Sequence, residues 1–323
     1  MRRPRIIVTR RWPEAVEQAL QARFDVTLNA NDHPFSAEEM RHALTGFDAV
    51  LTTVSDRIDG GLLRAAPLRC RLLASYGVGY NHIDIDAARE LGLCVTNTPD
   101  VLTDCTADLA LTLMLMVARR AGEGERQVRS GQWKGWRPTH MIGTRLSGKT
   151  LGIIGMGRIA HAVAVRAHHG FGMKIVFFNR SRVEPARLAG LQAEQCDTVD
   201  EVLAQSDFVS LHCPGGADTR HLIDRERLAR MQPHAFLINT ARGEVVDEIA
   251  LAEALQRGTI AGAGLDVYAA EPSVTPALLK MENVVLLPHL GSATRETREG
   301  MGMRVVDNVS AFFDGHEPPD RVV

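Results

Sequence analysis

The sequence predicts an α/β protein of two domains with parallel sheets, and three observations carry that prediction. The chain has 323 residues, too many for one ordinary core, and 45 % of them are apolar, enough for two. Short β-branched runs alternate with amphipathic stretches along nearly the whole length, the rhythm of strand, crossover helix and strand. Near the middle, "LGIIGMGRIA" (151–160) places a glycine-rich turn between an apolar strand and a helix.

The elements follow in order. "MRRPRIIVTRRW" has the charge of a secretion signal but only three apolar residues before the next arginines, so it reads as a first strand and not as a targeting segment. "AVEQALQARF", "SAEEMRHAL" and "IDIDAARELG" have the spacing of helices, and "VTLN", "AVLTT", "CRLLASY" and "CVTNTP" that of strands. A long helix is expected from Thr103 to about Gly122, capped by "TDCTAD". Its apolar run "LALTLMLMVA" (109–118) is about half of what a membrane span needs and ends at Arg119 and Arg120, so it reads as a buried helix with a basic last turn. After a polar segment containing Trp133 and Trp136, a second series runs from Leu151 through "KIVFFNR", "FVSLHCP", "AFLINTA", "AGAGLDVY" and "VVLLPH". A last helix is expected from Ser292 to about Gly315.

Composition narrows the function. Thirty-seven basic and 39 acidic residues leave a formal charge of −2 with no long block of either sign, which excludes general nucleic-acid or acidic-membrane binding and leaves small molecules as partners. Five cysteines (Cys70, Cys94, Cys105, Cys196, Cys213) are spread without a CxxC pair, arguing against disulfides or a zinc site and for a reducing cytoplasm. His168, His169 and His212 lack the spacing of metal ligands, and no metal is expected.

Within the glycine turn, Gly155 permits a tight exit from the strand, Gly157 lets backbone N–H groups approach a pyrophosphate, and Ala160 stands where helix and strand touch. A second strand (175–178) ends about 20 residues later, the spacing of a Rossmann dinucleotide-binding unit. The NAD form of that unit carries an Asp or Glu there, which hydrogen-bonds the ribose hydroxyls and repels a 2′-phosphate. This chain carries Asn179, Arg180, Ser181 and Arg182 instead: two guanidinium groups for a phosphate and two neutral donors. NADPH (NADP) is the expected cofactor, with NADH (NAD) second.

"GMGRIA", "INTARGEVVDE", "GAGLDVYAAEP" and "LLPHLGSAT", in this order, together with "YGVGYNHIDI" and "NTPDVLTDCTADLAL", resemble the D-isomer-specific 2-hydroxyacid dehydrogenase family, and most its glyoxylate/hydroxypyruvate reductase and 2-ketogluconate reductase branch. Hydride delivery to a ketone makes an alkoxide, which needs a proton donor, and the substrate carboxylate needs a cation. His289 follows the strand "NVVLLP" and suits the donor; Glu271 suits its second ring nitrogen, favouring the charged imidazole; Arg242 has the planar fork for a carboxylate. The resemblance implies the same three roles. It further implies that N–H groups of Val78 and Gly79, in a loop that Gly77 helps to open, hold the substrate carboxylate, and that Asp266 meets the nicotinamide carboxamide. Thr106, Arg158, Ile159, Cys213, Pro214, Thr240, Ala241 and Gly291 are implied to line the dinucleotide site, and the Trp133/Trp136 segment to reach a partner subunit in a homodimer.

By the same analogy the cofactor domain is expected at residues 102–290, a Rossmann domain inserted into a flavodoxin-like substrate domain formed by 1–101 and 291–323, with the active site in the cleft between them. The expected function is NADPH-preferring reduction of a small 2-keto acid (glyoxylate, hydroxypyruvate or 2-ketogluconate) to the D-2-hydroxy acid. The alternatives are a phosphoglycerate- or formate-type member of the family, or a non-catalytic dinucleotide sensor resembling the family's corepressors.

Overall fold

In the computed structural model, which describes residues 3–323, the short apolar runs become the strands of two parallel sheets. Met1 and Arg2, the start of the charged N-terminal segment, lie outside the described residues. Two compact units result: one comprises the described residues through Leu102 together with Ala293–Val323, the other Thr103–Ser292.

The first unit holds β1 (Arg5–Val8), β2 (Asp25–Thr27), β3 (Ala49–Thr53), β4 (Leu72–Tyr76) and β5 (Cys94–Thr96), in the order β2-β1-β3-β4-β5. This is the flavodoxin-like order. Ile7, Val50, Leu73 and Val95 point into one buried cluster with Met40, Leu44, Ile58 and Leu63. The opposite face is covered in part by helix Arg295–Phe313, which packs on β4 and on helix Glu14–Arg23. Side chains alternate between two covered faces, which is why these strands read as unbroken apolar runs.

The second unit holds β6 (Thr150–Ile154), β7 (Lys174–Phe178), β8 (Ala193–Cys196), β9 (Phe208–Leu211), β10 (Phe236–Asn239), β11 (Gly262–Leu265) and β12 (Val284–Leu286), in the order β12-β11-β10-β9-β6-β7-β8. Counted from β6 it is the doubly wound Rossmann order with one strand added, and the order reverses between β6 and β9. Ile153, Ile175, Phe177, Phe208, Phe236 and Ile238 fill one face, and Ile154, Val176, Val209, Leu237 and Leu265 the other. Phe208 and Phe236 stack across neighbouring strands with ring centroids 5.1 Å apart.

Helix Thr103–Ala118 lays the Met and Leu stripe of the sequence against the first of these faces, with Leu113 and Met114 fully buried. Burying each such side chain contributes about 1.5–3 kcal/mol. The helix does not continue to Gly122. The Ala118 carbonyl accepts the N–H of Thr144 at 2.8 Å, Arg120 takes a left-handed φ of 53°, and a second helix spans Ala121–Arg129. The basic residues assigned to a last turn therefore form the joint between two helices. The C-terminal helix also starts later than expected, at Arg295, because Thr294 caps it by accepting the Thr297 N–H at 3.3 Å, and it ends at Phe313. Among the described residues no helix is long and apolar enough to cross a membrane.

Candidate active site

A parallel sheet points all its strand ends the same way, so residues far apart in sequence meet along one edge. In the second unit Gly155 follows β6, Asn179 follows β7, Cys213 and Pro214 follow β9, Thr240, Ala241 and Arg242 follow β10, Asp266 follows β11, and His289 follows β12. All lie within three residues of a strand's carboxyl end.

The Nδ1 atom of His289 lies 2.8 Å from Glu271 Oε2, and Tyr268 N–H donates to Glu271 Oε1 at 3.0 Å. With Nδ1 turned to a carboxylate, the neutral ring carries its hydrogen there and leaves Nε2 as the face for chemistry. The backbone holds the ring in place: His289 has a φ of 55°, its N–H donates to the Asp266 carbonyl at 2.9 Å, and the next two N–H groups, of Leu290 and Gly291, donate to the two Asp266 carboxylate oxygens at 2.6 and 2.8 Å. Asp266 thus braces the histidine loop; its remaining lone pairs still have acceptor capacity for a carboxamide. Burial pushes the Glu271 carboxyl up, but the hydrogen bond and charge of His289, the Tyr268 N–H and the charge of Arg242 outweigh it and hold Glu271 below the usual carboxylate range. Burial pushes Asp266 up, and the Leu290 and Gly291 N–H groups and the His289 charge offset only part of that.

Arg242 keeps part of its surface open while protein crowds it from behind. Burial lowers its pKa against the opposing charges of Glu271 and Glu244. It remains a cation at any neutral pH. Its Nη1 donates to the Ala241 carbonyl at 2.6 Å. The next residue, Gly243, lies against the Tyr268 backbone where a Cβ has no room, so the Arg242 turn abuts the loop that carries Glu271.

The glycine turn fits a dinucleotide. Gly155 has a φ of 90°, and a Cβ there would stand 2.9 Å from the Cys213 nitrogen. Gly157, by contrast, has open space where its Cβ would be, at the start of helix Arg158–Phe171. Such a helix start, without a side-chain cap, suits a pyrophosphate. Arg158 is exposed on the first turn, Ile159 half-buried, and Ala160 fully buried at the helix–strand contact. Thr240 Oγ1 is buried on the same edge and unpartnered, as a site awaiting a polar ligand would leave it. Thr106 Oγ1 donates to the Gly291 carbonyl at 2.9 Å, joining two residues expected to share the site. Ala241 is buried. Burial pushes the Cys213 thiol up to about 11 and His212 down to about 4, so both stay neutral.

At the end of β7, Asn179 Oδ1 accepts the Met156 N–H at 3.2 Å and Nδ2 donates to the Ser181 carbonyl at 3.0 Å. Asn179 is thus a brace between the glycine turn and the arginine loop more than a free donor. Arg180 lies 3.7 Å from Asp218 and Arg182 lies 3.2 Å from Asp197, with both guanidinium side chains mostly exposed. Exposed pairs of this kind bind weakly and can yield to a phosphate.

Val78 and Gly79 belong to the first unit, in the loop after β4. Trp133 and Trp136 stand 52 % and 81 % exposed, outside every helix and strand, with Ile142 close in sequence 68 % exposed.

Three residues without a role in the sequence-based reading support the site. Asn239 is buried, accepts the Ala241 N–H at 3.0 Å and donates to the Arg242 carbonyl at 2.9 Å, shaping the turn that presents Arg242. Glu248, also buried, accepts the Ala269 N–H at 2.6 Å and the Thr275 hydroxyl at 2.5 Å, tying down both flanks of Glu271. Gln195 donates to the Ser181 carbonyl and accepts the Val183 N–H, each at 3.0 Å, and so closes the arginine loop. Asn239 and Glu248 lie inside the "INTARGEVVDE" stretch, and that position is the one signal that could have pointed to them.

Residues 111–291 match the family described as D-isomer specific 2-hydroxyacid dehydrogenase, NAD binding domain. The chain is 46 % identical over 324 aligned positions to a glyoxylate reductase of Thermococcus litoralis, covering 99 % of this chain and 97 % of that one. Among solved structures it is similar to a glyoxylate reductase from Paecilomyes thermophila, with a TM-score of 0.88, 34 % identity and coverage of 100 % and 99 %. It is likewise similar to an NADPH-dependent glyoxylate/hydroxypyruvate reductase of Sinorhizobium meliloti in complex with NADP and malonate, with a TM-score of 0.87, 36 % identity and coverage of 99 % and 97 %.

Proposed function

This chain belongs to the D-isomer-specific 2-hydroxyacid dehydrogenase family and is a nicotinamide-dinucleotide-linked oxidoreductase, and from that premise we propose that it is an NADPH-preferring reductase of small 2-keto acids, glyoxylate first among them. The observation that carries the proposal is Arg242 and the Glu271–His289 pair on the carboxyl edge of the sheet that bears the glycine turn. Hydroxypyruvate and 2-ketogluconate are the further substrates of the proposal, with the D-2-hydroxy acid as product wherever a stereocentre forms.

The bound dinucleotide supplies the hydride. Gly155, Gly157, Arg158 and Ile159 take its pyrophosphate end, Arg180, Ser181 and Arg182 its 2′-phosphate, and Thr106, Cys213, Pro214, Thr240, Ala241, Asp266 and Gly291 the nicotinamide half. The lack of an acid among the first five residues after β7 supports the phosphate assignment, as does the NADP complex of the Sinorhizobium relative. His289 gives the proton from Nε2 to the oxygen that was the ketone, and the Glu271 carboxylate stabilises the imidazolium and fixes its tautomer. Arg242, partly desolvated and held by a single backbone carbonyl, takes the substrate carboxylate in a bidentate grip. The loop with Val78 and Gly79 is a further carboxylate-binding element of the proposal, through its N–H groups.

Trp133, Trp136 and Ile142 support a homodimer, since large apolar side chains this exposed need a covering surface. A panel of 2-keto acids assayed with NADPH and with NADH tests the whole reading. Turnover of glyoxylate with NADPH is expected; an enzyme inert toward every keto acid with either cofactor would refute it.

A further inference from the structure

We propose that Asn97 is a positioning residue for substrate affinity, its side-chain amide fixing the direction in which Val78 and Gly79 present their N–H groups. The inference rests on the reading of that loop as a carboxylate-binding element. The Gly77 carbonyl accepts the Thr98 N–H at 3.0 Å, and the Val78 carbonyl accepts Asn97 Nδ2 at 2.8 Å. Both peptide bonds that follow these carbonyls are trans, so each N–H points opposite to its own plane's C=O. The N–H groups of Val78 and Gly79 are therefore both turned away from residues 97 and 98, and among the described residues neither has an acceptor. Two successive N–H groups turned to one side form a concavity for an anion.

The two planes are held differently. Thr98 holds the first through its main chain, which any residue but proline supplies. The second depends on the Asn97 side chain alone. Asn97 is in turn held through its own main chain: its N–H donates to the Asp320 carbonyl and its carbonyl accepts Asn308 Nδ2, both at 3.3 Å. Asn308 and Asp320 are buried and paired reciprocally at 2.9 and 3.0 Å, and Arg304 grips the Asp320 carboxylate at 2.6 and 2.8 Å. A satisfied buried network of this kind is rigid. Because it reaches Asn97 through backbone atoms, replacing the side chain removes the Val78 bond and leaves the anchor.

Asn97→Ala is expected to raise the KM for glyoxylate and the inhibition constant of oxalate about tenfold each, the size of one hydrogen bond to a charged site, with kcat within about threefold and the NADPH dissociation constant unchanged. Asn97→Asp, which sets a carboxylate against the Val78 carbonyl, is expected to do more damage to the same two constants. In parallel, the Val78 and Gly79 amide resonances of the full-length wild-type protein with NADP are followed by NMR during an oxalate titration. Shifts at both amides together with the KM effect support the proposal. Shifts in the wild type with KM unchanged in both variants would overturn the role of Asn97 and leave the carboxylate reading standing. Saturable oxalate inhibition without a response at either amide would overturn that reading and the inference with it. Loss of kcat at constant KM, or failure of both variants to fold, would make Asn97 a structural residue and also overturn the proposal.

Discussion

Replacing Arg180 and Arg182 together by alanine should separate the two dinucleotides. Each guanidinium now faces a carboxylate, Asp218 at 3.7 Å and Asp197 at 3.2 Å, and is 81 % and 75 % exposed. A hydrogen bond to a charged group contributes about 1.5–3 kcal/mol. Because water screens both arginines and each must leave its present partner, a value just under that range applies, about 1.4 kcal/mol or a factor of about ten apiece. The double variant should bind NADPH about 100-fold more weakly. NADH, with a hydroxyl in place of the phosphate, should lose less than about threefold. Asn179→Asp pushes the same way by another route: the acceptor for the Met156 N–H at 3.2 Å is retained, so the glycine turn survives, while the Nδ2 bond to the Ser181 carbonyl is lost and a negative charge meets the 2′-phosphate. The assay is fluorescence titration of each variant with both cofactors at low and high salt, backed by kcat/KM with glyoxylate; the NADPH penalty should shrink as salt screens it. Equal losses for NADPH and NADH would return the arginines to the role of a solvated turn, and an unaffected NADPH constant would refute the reasoning outright.

The remaining expectations concern the proton, acidity and assembly. His289→Asn should lower kcat/KM for glyoxylate by about 10²–10⁴ while NADPH binding holds, and intact reduction would remove the proton-donor assignment. Glu271 sits below the usual carboxylate range, so its support of the pair is full above that range and is lost only as pH falls through the lowered value; a pair that breaks at higher pH, followed by histidine NMR, would contradict this. His212 titrates at about 4 when folded, below its unfolded value, so the unfolded state binds the proton first and stability falls with pH across that window. Between pH 7.5 and 5 the loss should be about 1–2 kcal/mol after discounting its partial exposure, and urea titrations should find it absent in His212→Gln. Light scattering should find a dimer for the wild type and a monomer for Trp133→Asp with Trp136→Asp; a monomeric wild type would refute the proposed homodimer.

The parts of the site legible in the sequence were those tied to strand ends. His289, Arg242, Asp266 and Gly155 each follow an apolar run directly, and a parallel sheet carries all such positions to one edge. What stayed hidden depends on hydrogen bonds between distant loops. Glu248 begins a helix, where an acid ordinarily complements the helix dipole in solvent, and nothing local says that it instead turns inward to Ala269 and Thr275. Asn97 belongs to "CVTNTP", which reads simply as a strand, and its anchoring role stays hidden because its partners Asn308 and Asp320 lie more than 200 residues away. The joint at Arg120 was equally unreadable: the helical spacing continues across it, and only Thr144, returning from beyond the tryptophans, claims the Ala118 carbonyl.

That return has a consequence for the segment it encloses. The chain leaves the helical pair at Arg129 and comes back to it at Thr144, so Trp133, Trp136 and Ile142 lie on an excursion pinned at both ends. A protease that nicks the excursion leaves both stubs attached to the same two helices. Length changes or wholesale exchange of this stretch, as in a library of grafted loops, would therefore alter the exposed apolar surface it carries while the sheet of the same unit keeps its register.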